Sequence, residues 1–289
     1  MTPDPANGLA GVDHCIVGVN GLEAARARYE SLGFTVTPRG RHIGWATANY
    51  CIMFPRDYIE LLGILDPDGY SAGLDAVLAQ RGEGLLRLAM RSDDAGRTDA
   101  FLREAGLVSE PVRDLARELE MPDGVVLPEF RLIHPVPEAT PGLAAFICQH
   151  LTPEIVWRDE WLRHRNTAVA VGSYCIAADD PDALAAGWGR LLGPASVTQE
   201  VDRITVETGT ARLDFVSAGS LGEEFAALGI EAPVAGRIAG ARVLVQDLSA
   251  AAGCLAEAGV ACIRTDDALV VPPRDAGGVV LSFASGREA

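Results

Sequence analysis

Apolar and polar positions along this chain repeat one layout four times: a short apolar run, a polar turn, an Ala/Leu-rich stretch with helical spacing, and a glycine. Residues 14–33, HCIVGVNGLEAARARYESLG, and 174–193, YCIAADDPDALAAGWGRLLG, align without a gap at an offset of 160. They share Cys15/Cys175, Ile16/Ile176, Ala25/Ala185, Leu32/Leu192 and Gly33/Gly193. Each predicts a strand and then a helix, with Asn20 or Asp180 suited to cap its start and a glycine at its C′ end. Residues 84–106 and 240–259 have the same layout, and both finish in EAG.

Runs rich in β-branched and apolar residues follow each unit, among them HIGWATANYCIMF, DYIELLGIL, FRLIHPV, LAAFICQH, DRITVET, ARLDFVSA, ALVVPP and GGVVLSF. Such runs predict strands. The expected fold is therefore α+β, with four β-α-β-β-β modules read as an internal repeat. Modules at 11–65 and 84–150 make up an N-terminal domain of residues 1–150. An insert at 66–83 predicts a turn and a short helix. Residues 151–166, LTPEIVWRDEWLRHRN, lack a strand period and read as a connector whose Trp157 and Trp161 pack on a domain face. Residues 167–289 form the C-terminal domain.

Composition narrows the range of partners. Of 289 residues, 48% are apolar and 22% charged, the balance of an ordinary globular protein. A formal net charge of −16 would repel both a nucleic-acid backbone and an anionic membrane surface. No apolar run is long enough for a membrane span, and MTPDPANGLAG has neither the basic nor the apolar region of an export signal. A cytoplasmic location is expected. The six cysteines include no C-x-x-C pair and read as small buried thiols. No G-x-S-x-G, P-loop or dinucleotide-binding motif is present.

Two side chains interrupt apolar strands. His14 could ligate a metal through a neutral imidazole, or satisfy a neighbouring carbonyl. Glu60, in DYIELLGIL, has apolar neighbours on both sides; a carboxylate buried there needs a metal, a cation or a raised pKa.

The segments GVDHCIVGVNGLEAARARYESLGFTVTPRGRHIGWATANY, DYIELLGILDPDG and FICQHLTPEIVWRDEWLRHRN resemble the vicinal oxygen chelate superfamily, specifically its glyoxalase-like domain proteins, the relatives of glyoxalase, bleomycin-resistance proteins and extradiol dioxygenases. The resemblance covers residues 10 to about 175. It implies two cupped mixed sheets, with the first and fourth strands of each module side by side at the floor. It also implies one divalent ion (Fe, Mn, Ni, Co or Zn) held by His14, Glu60 and His150, with Glu60 also catalytic. Gln149 competes with His150 for the inward direction, because strand neighbours face opposite sides. Arg87 stands where module two would offer a first-strand ligand. A guanidinium cannot ligate, so Arg87 is expected to hold an anionic substrate group or to pair with Glu60. Gln149, His42 and Trp45 are further candidate substrate contacts, and His134 and His164 are candidates for substrate contact or proton transfer.

In the C-terminal domain Tyr174 falls opposite His14 at the 160 offset, Asp214 near the Glu60 position, and no histidine follows His164. That half is expected to hold no metal, and to serve as a scaffold, a cover for the first cup, or the support of a homodimer. The implied function is a metal-dependent lyase, isomerase or dioxygenase acting on a small oxygenated molecule. The alternative is a non-catalytic protein that sequesters a small molecule, as bleomycin-resistance proteins do.

Overall fold

The computed structural model describes residues 7–108 and 110–286. Most of the N-terminal segment read above for export lies outside these residues. Module one is β1 (Leu9–Gly18), α1 (Leu22–Ser31), β2 (Gly40–His42), β3 (Thr47–Met53) and β4 (Tyr58–Ile64). After α2 (Leu74–Arg81), module two is β5 (Gly84–Ser92), α3 (Ala95–Glu104), β6 (Arg113–Met121), β7 (Gly124–Val126), β8 (Glu129–Ile133) and β9 (Ala145–His150). A short helix α4 (Pro153–Val156) leads to module three: β10 (Ala168–Ala178), α5 (Ala185–Leu192), β11 (Val197–Glu200), β12 (Arg203–Glu207) and β13 (Arg212–Ser217). After α6 (Ala218–Ala227), module four is β14 (Arg237–Val245), α7 (Leu248–Glu257), β15 (Ile263–Arg264), β16 (Ala268–Val271) and β17 (Val280–Ser285). None of these helices is long and apolar enough to cross a membrane.

Every module pairs its first and last strands in parallel: β1 with β4, β5 with β9, β10 with β13 and β14 with β17. Modules then join through antiparallel first strands, β1 to β5 and β10 to β14. The result is a nine-stranded mixed sheet and an eight-stranded one. The nine-stranded sheet closes on itself, because β2 also pairs with β6 through Gly40–Leu119, Arg41–Glu118 and His42–Arg117. The eight-stranded sheet stays open, with β11 and β15 at its edges.

The backs of the two sheets share one core. Phe34 stacks on Phe283 with ring centroids 5.7 Å apart, and Asn166 donates to the Leu32 carbonyl at 3.0 Å. The Val12 amide donates to Thr210 Oγ1 at 2.7 Å, and the Tyr29 hydroxyl to the Ala276 carbonyl at 3.2 Å. Gly33 ends α1 at φ +92, and a Cβ there would lie 2.7 Å from Cys254 Sγ and 2.9 Å from Asn166 Cβ. Both the left-handed turn and the close approach of α7 require glycine at this position. Trp157 donates through its indole N–H to the Phe54 carbonyl at 2.9 Å, and Trp161 is buried among Met53, Tyr58 and Val156, so residues 151–166 close one end of the first barrel.

Candidate functional site

The closed sheet encloses a cavity of about 270 Å³. Its floor is set by strand register. Ile16 lies opposite Glu60 on β4 and opposite Arg87 on β5, while His14 lies opposite Tyr58 and Ala89. His14, Glu60 and Arg87 all line the cavity. The corresponding parallel pair of module two matches Ala89 with Phe146. Where module one offers His14 and Glu60, module two therefore offers Arg87 and Phe146.

This register changes the place of His150. It stands four residues beyond Phe146, outside the cavity lining, and its Nε2 points to Asp13 Oδ1 at 3.0 Å. Among the described residues, the ligand atoms of His14, Glu60 and His150 do not gather at one point. The one group of three or more metal-binding side chains whose ligand atoms all lie within 4.8 Å of one another is Asp13, Cys148 and His150. Gln149 turns away from the cup, as strand alternation demands once His150 faces in. Its side chain accepts from the Ala95 amide and donates to the Asp93 carbonyl, both at 3.0 Å, at the start of α3.

Asp13 is a residue that sequence reasoning missed. The β1–β5 register shifts between Val12 and His14, so Asp13 occupies a β-bulge. The bulge brings it to the same side as its neighbour, against ordinary alternation. The carboxylate, fully buried, accepts from His14 Nδ1 at 2.6 Å and from His150 Nε2 at 3.0 Å. Burial works against its charge, but the two imidazoles hold the carboxyl well below the usual carboxylate range. With its Nδ1 on Asp13, His14 turns its Nε2 towards Glu60 Oε2, 3.5 Å away. Tyr58 stacks on the ring at 4.3 Å and fixes its plane.

Glu60 is held from the opposite side. Asn49 Nδ2 donates to Oε1 at 2.5 Å, and Arg117 donates to Asn49 Oδ1 at 2.9 Å and to Cys51 Sγ at 3.3 Å. Burial alone would raise the Glu60 pKa; His14, His42, Asn49 and Arg117 outweigh it and lower the value. His42 lines the same floor, its Nε2 3.9 Å from Glu60 Oε1 and its Nδ1 2.9 Å from Thr47 Oγ1. Burial lowers its pKa and favours the neutral ring.

Arg87 makes no hydrogen bond or ion pair with any described residue. Desolvation lowers its pKa against the pull of Glu60, and the guanidinium remains charged. The rest of the wall is largely apolar, with Leu62, Leu115, Phe130 and Phe146 on the strands and Leu74 and Val77 on α2 across the mouth. Trp45 stands at the rim, edge-on to Tyr70 with centroids 5.6 Å apart. His134 also lines the cavity, and its buried Nδ1 has no hydrogen-bond partner among the described residues. His164 does not reach the cavity: it accepts from the Thr35 amide at 3.0 Å and donates to the Met53 carbonyl at 2.9 Å.

Residues 12–192 match the model of the glyoxalase-like domain family. No curated protein matches the chain. A hypothetical protein from Staphylococcus aureus superposes with a TM-score of 0.66 at 9% identity, over 95% of this chain and 99% of the other. A mutant of 4-hydroxymandelate synthase from Streptomyces coelicolor gives a TM-score of 0.56 at 10% identity, over 97% and 94% of the two chains. A fusion protein of a xylose isomerase-like TIM barrel with 4-hydroxyphenylpyruvate dioxygenase gives 0.54 at 14% identity, over 100% of this chain and 51% of the other. At these identities the likeness is one of fold.

Proposed function

The chain belongs to the glyoxalase-like domain family, within the vicinal oxygen chelate superfamily, and from that premise we propose that it is a metal-dependent enzyme moving a proton on a small, oxygen-rich organic anion. One observation carries this reading. His14 Nε2 and Glu60 Oε2 face each other at 3.5 Å on the cavity floor while Asp13 occupies the other imidazole nitrogen. An imidazole nitrogen and a carboxylate so placed can share a metal cation, and a carboxylate behind the histidine is the usual support of a ligating imidazole.

His14 Nε2 and the Glu60 carboxylate would hold the ion, with His42 Nε2 the nearest third donor. His150, implied as a ligand by the family resemblance, is engaged with Asp13 instead. When bound, a divalent ion at this floor supplies Lewis acidity towards a pair of substrate oxygens. The chain's own residues do the rest. Arg87 binds the substrate's anionic group through charge-assisted hydrogen bonds. Arg117 and Asn49 keep Glu60 aimed at the floor, where it can also accept a proton from the bound molecule. The apolar wall, α2 and Trp45 keep water away. Acid–base chemistry is favoured over dioxygenation because the matching module-two positions hold Arg87 and Phe146, which add a substrate anchor and an apolar wall.

A second reading, sequestration of a small anion without catalysis, draws support from that same apolar lining around an unpaired Arg87. Oxalate, an anion with adjacent oxygens, separates the two. The enzyme reading expects tight oxalate binding by calorimetry only after loading with Mn²⁺ or Ni²⁺, no metal uptake at the floor in Glu60→Gln, and about tenfold or more weaker oxalate binding in Arg87→Ala. Equal oxalate binding by chelator-treated protein favours sequestration and contradicts the metal reading.

A further inference from the structure

Behind the floor, Asp13 Oδ2 is buried and accepts no hydrogen bond among the described residues. Such an orphaned carboxylate oxygen is costly unless something binds it. The side chains around it have the chemistry to bind a cation. One ligand atom each from Asp13, Cys148 and His150 lies within 4.8 Å of the others. Asp13 is fully buried, Cys148 is 2% exposed, and the His150 side chain is 6% exposed.

The 3.0 Å between His150 Nε2 and Asp13 Oδ1 fits a hydrogen bond. It brings the imidazole against the carboxylate whose free Oδ2 can reach the same ion. Cys148 adds a thiolate, the donor that turns an N/O pair towards zinc and other borderline ions. Around the imidazole, Trp157 packs edge-on at 4.7 Å, Phe130 at 4.9 Å and Tyr58 at 5.9 Å, so bulk water is excluded.

We propose that Asp13, Cys148 and His150 form a second metal site, separate from the His14–Glu60 floor, which takes zinc or a similar borderline ion. Asp13 comes from β1 and the other two from β9, with β5 between them. The ion therefore staples the first strand of module one to the last strand of module two. Asp13 serves both sites: Oδ2 ligates the buried ion while Oδ1 keeps its bond to His14 Nδ1. On binding, Cys148 releases its thiol proton through the first cavity, whose wall it lines, and His150 presents the Nε2 lone pair to the ion instead of a proton to Asp13. The site does not depend on the floor being loaded.

The test is spectroscopic and uses the full chain. Protein reconstituted with Co²⁺ is expected to show a thiolate-to-cobalt charge-transfer band in the near ultraviolet. The band should vanish in Cys148→Ser and persist in Glu60→Gln. Zinc-edge X-ray absorption on the zinc-loaded wild type needs no variant, and is expected to show one sulfur at about 2.3 Å. A first shell of nitrogen and oxygen alone, or a charge-transfer band that survives in folded Cys148→Ser, overturns the proposal. Loss of floor metal in Glu60→Gln concerns only the floor reading, so the two claims fail separately.

Discussion

The two halves of this molecule use the same module and reach opposite outcomes. In the first sheet, the positions at the meeting of the first and fourth strands carry His14, Glu60 and Arg87. In the second, the strand register places Ser173, Asp214 and Gly240 at the matching points, since Cys175 lies opposite both Asp214 and Gly240 as Ile16 lies opposite Glu60 and Arg87. Asp214 is engaged by Arg212, whose Nε and Nη2 lie 3.1 and 3.0 Å from its Oδ2, and by Thr205 Oγ1 at 3.1 Å. The second cup keeps a cavity of about 310 Å³, but Leu221 and Phe225 of α6 line it and its charges are paired, Arg203 with Glu224 and Arg242 with Asp267. The first sheet closes through β2 and β6, and the exposed Arg87 on its cavity wall pairs with no described residue; the second stays open and pairs its charges. One module thus builds either a cup with imidazole and carboxylate groups facing each other or one whose charges are paired off, according to which side chains fall on alternate positions of two strands.

Removing one charged support from each cup, Arg117 from the first and Arg212 from the second, is expected to expose this difference most strongly. Arg117 is buried and bonded to Asn49 and Cys51, so Arg117→Met leaves buried polar groups unpaired and should cost about 3–5 kcal/mol in denaturant unfolding. Equal stability of that variant and the wild type would remove the buried support assigned to Glu60.

Next in size is a pH effect confined to the first half and its connector, because no histidine follows His164. Burial pushes His164 down from 6.5 to about 4. The unfolded chain then binds a proton that the folded chain refuses. The stabilisation is complete above pH 6.5 and is lost as pH falls towards 4. Its size is at most about 3 kcal/mol. His164→Gln should flatten that part of the stability profile, and an unchanged slope would count against the neutral, doubly bonded ring.

The smallest effect belongs to the second cup. Arg212→Met removes a pairing whose arginine side chain is 46% exposed and should cost about 0–1 kcal/mol. A loss as large as that of Arg117→Met would mean that the charge pairs of the second cup are as deeply supported as those of the first.

The fold was legible because helix starts, glycine ends and strand runs recur in order, and each has a local cause. Tight register was not legible. The gapless alignment at 160 follows the helices, but the strands of modules one and three match at 159, with His14 opposite Ala89 as Ser173 is opposite Arg242. In a strand, a slip of one residue reverses the face. Tyr174, expected at the His14 position, is therefore buried in the core at the back, and Ser173 takes its place. The same logic explains His150: counting from the end of LAAFICQH suggests a ligand, whereas pairing through Ala89 selects Phe146. His14, Glu60, Arg87, His42 and Trp45 all line the cavity, and each had a signal in the sequence, a polar residue or tryptophan within or beside an apolar strand. Asp13 was hidden by a bulge that alternation cannot foresee. Asn49 and Arg117 were visible only as polar residues in TANYCIM and LARELEM.

The central claim is that the first cup, and not the second, holds a metal on its floor. Metal content measured by atomic emission after reconstitution with Mn²⁺, for wild type, Glu60→Gln and Asp214→Asn, tests it most directly. The account expects Glu60→Gln to lose the floor ion and Asp214→Asn to retain it. Unchanged manganese in Glu60→Gln, or its loss in Asp214→Asn, would contradict it.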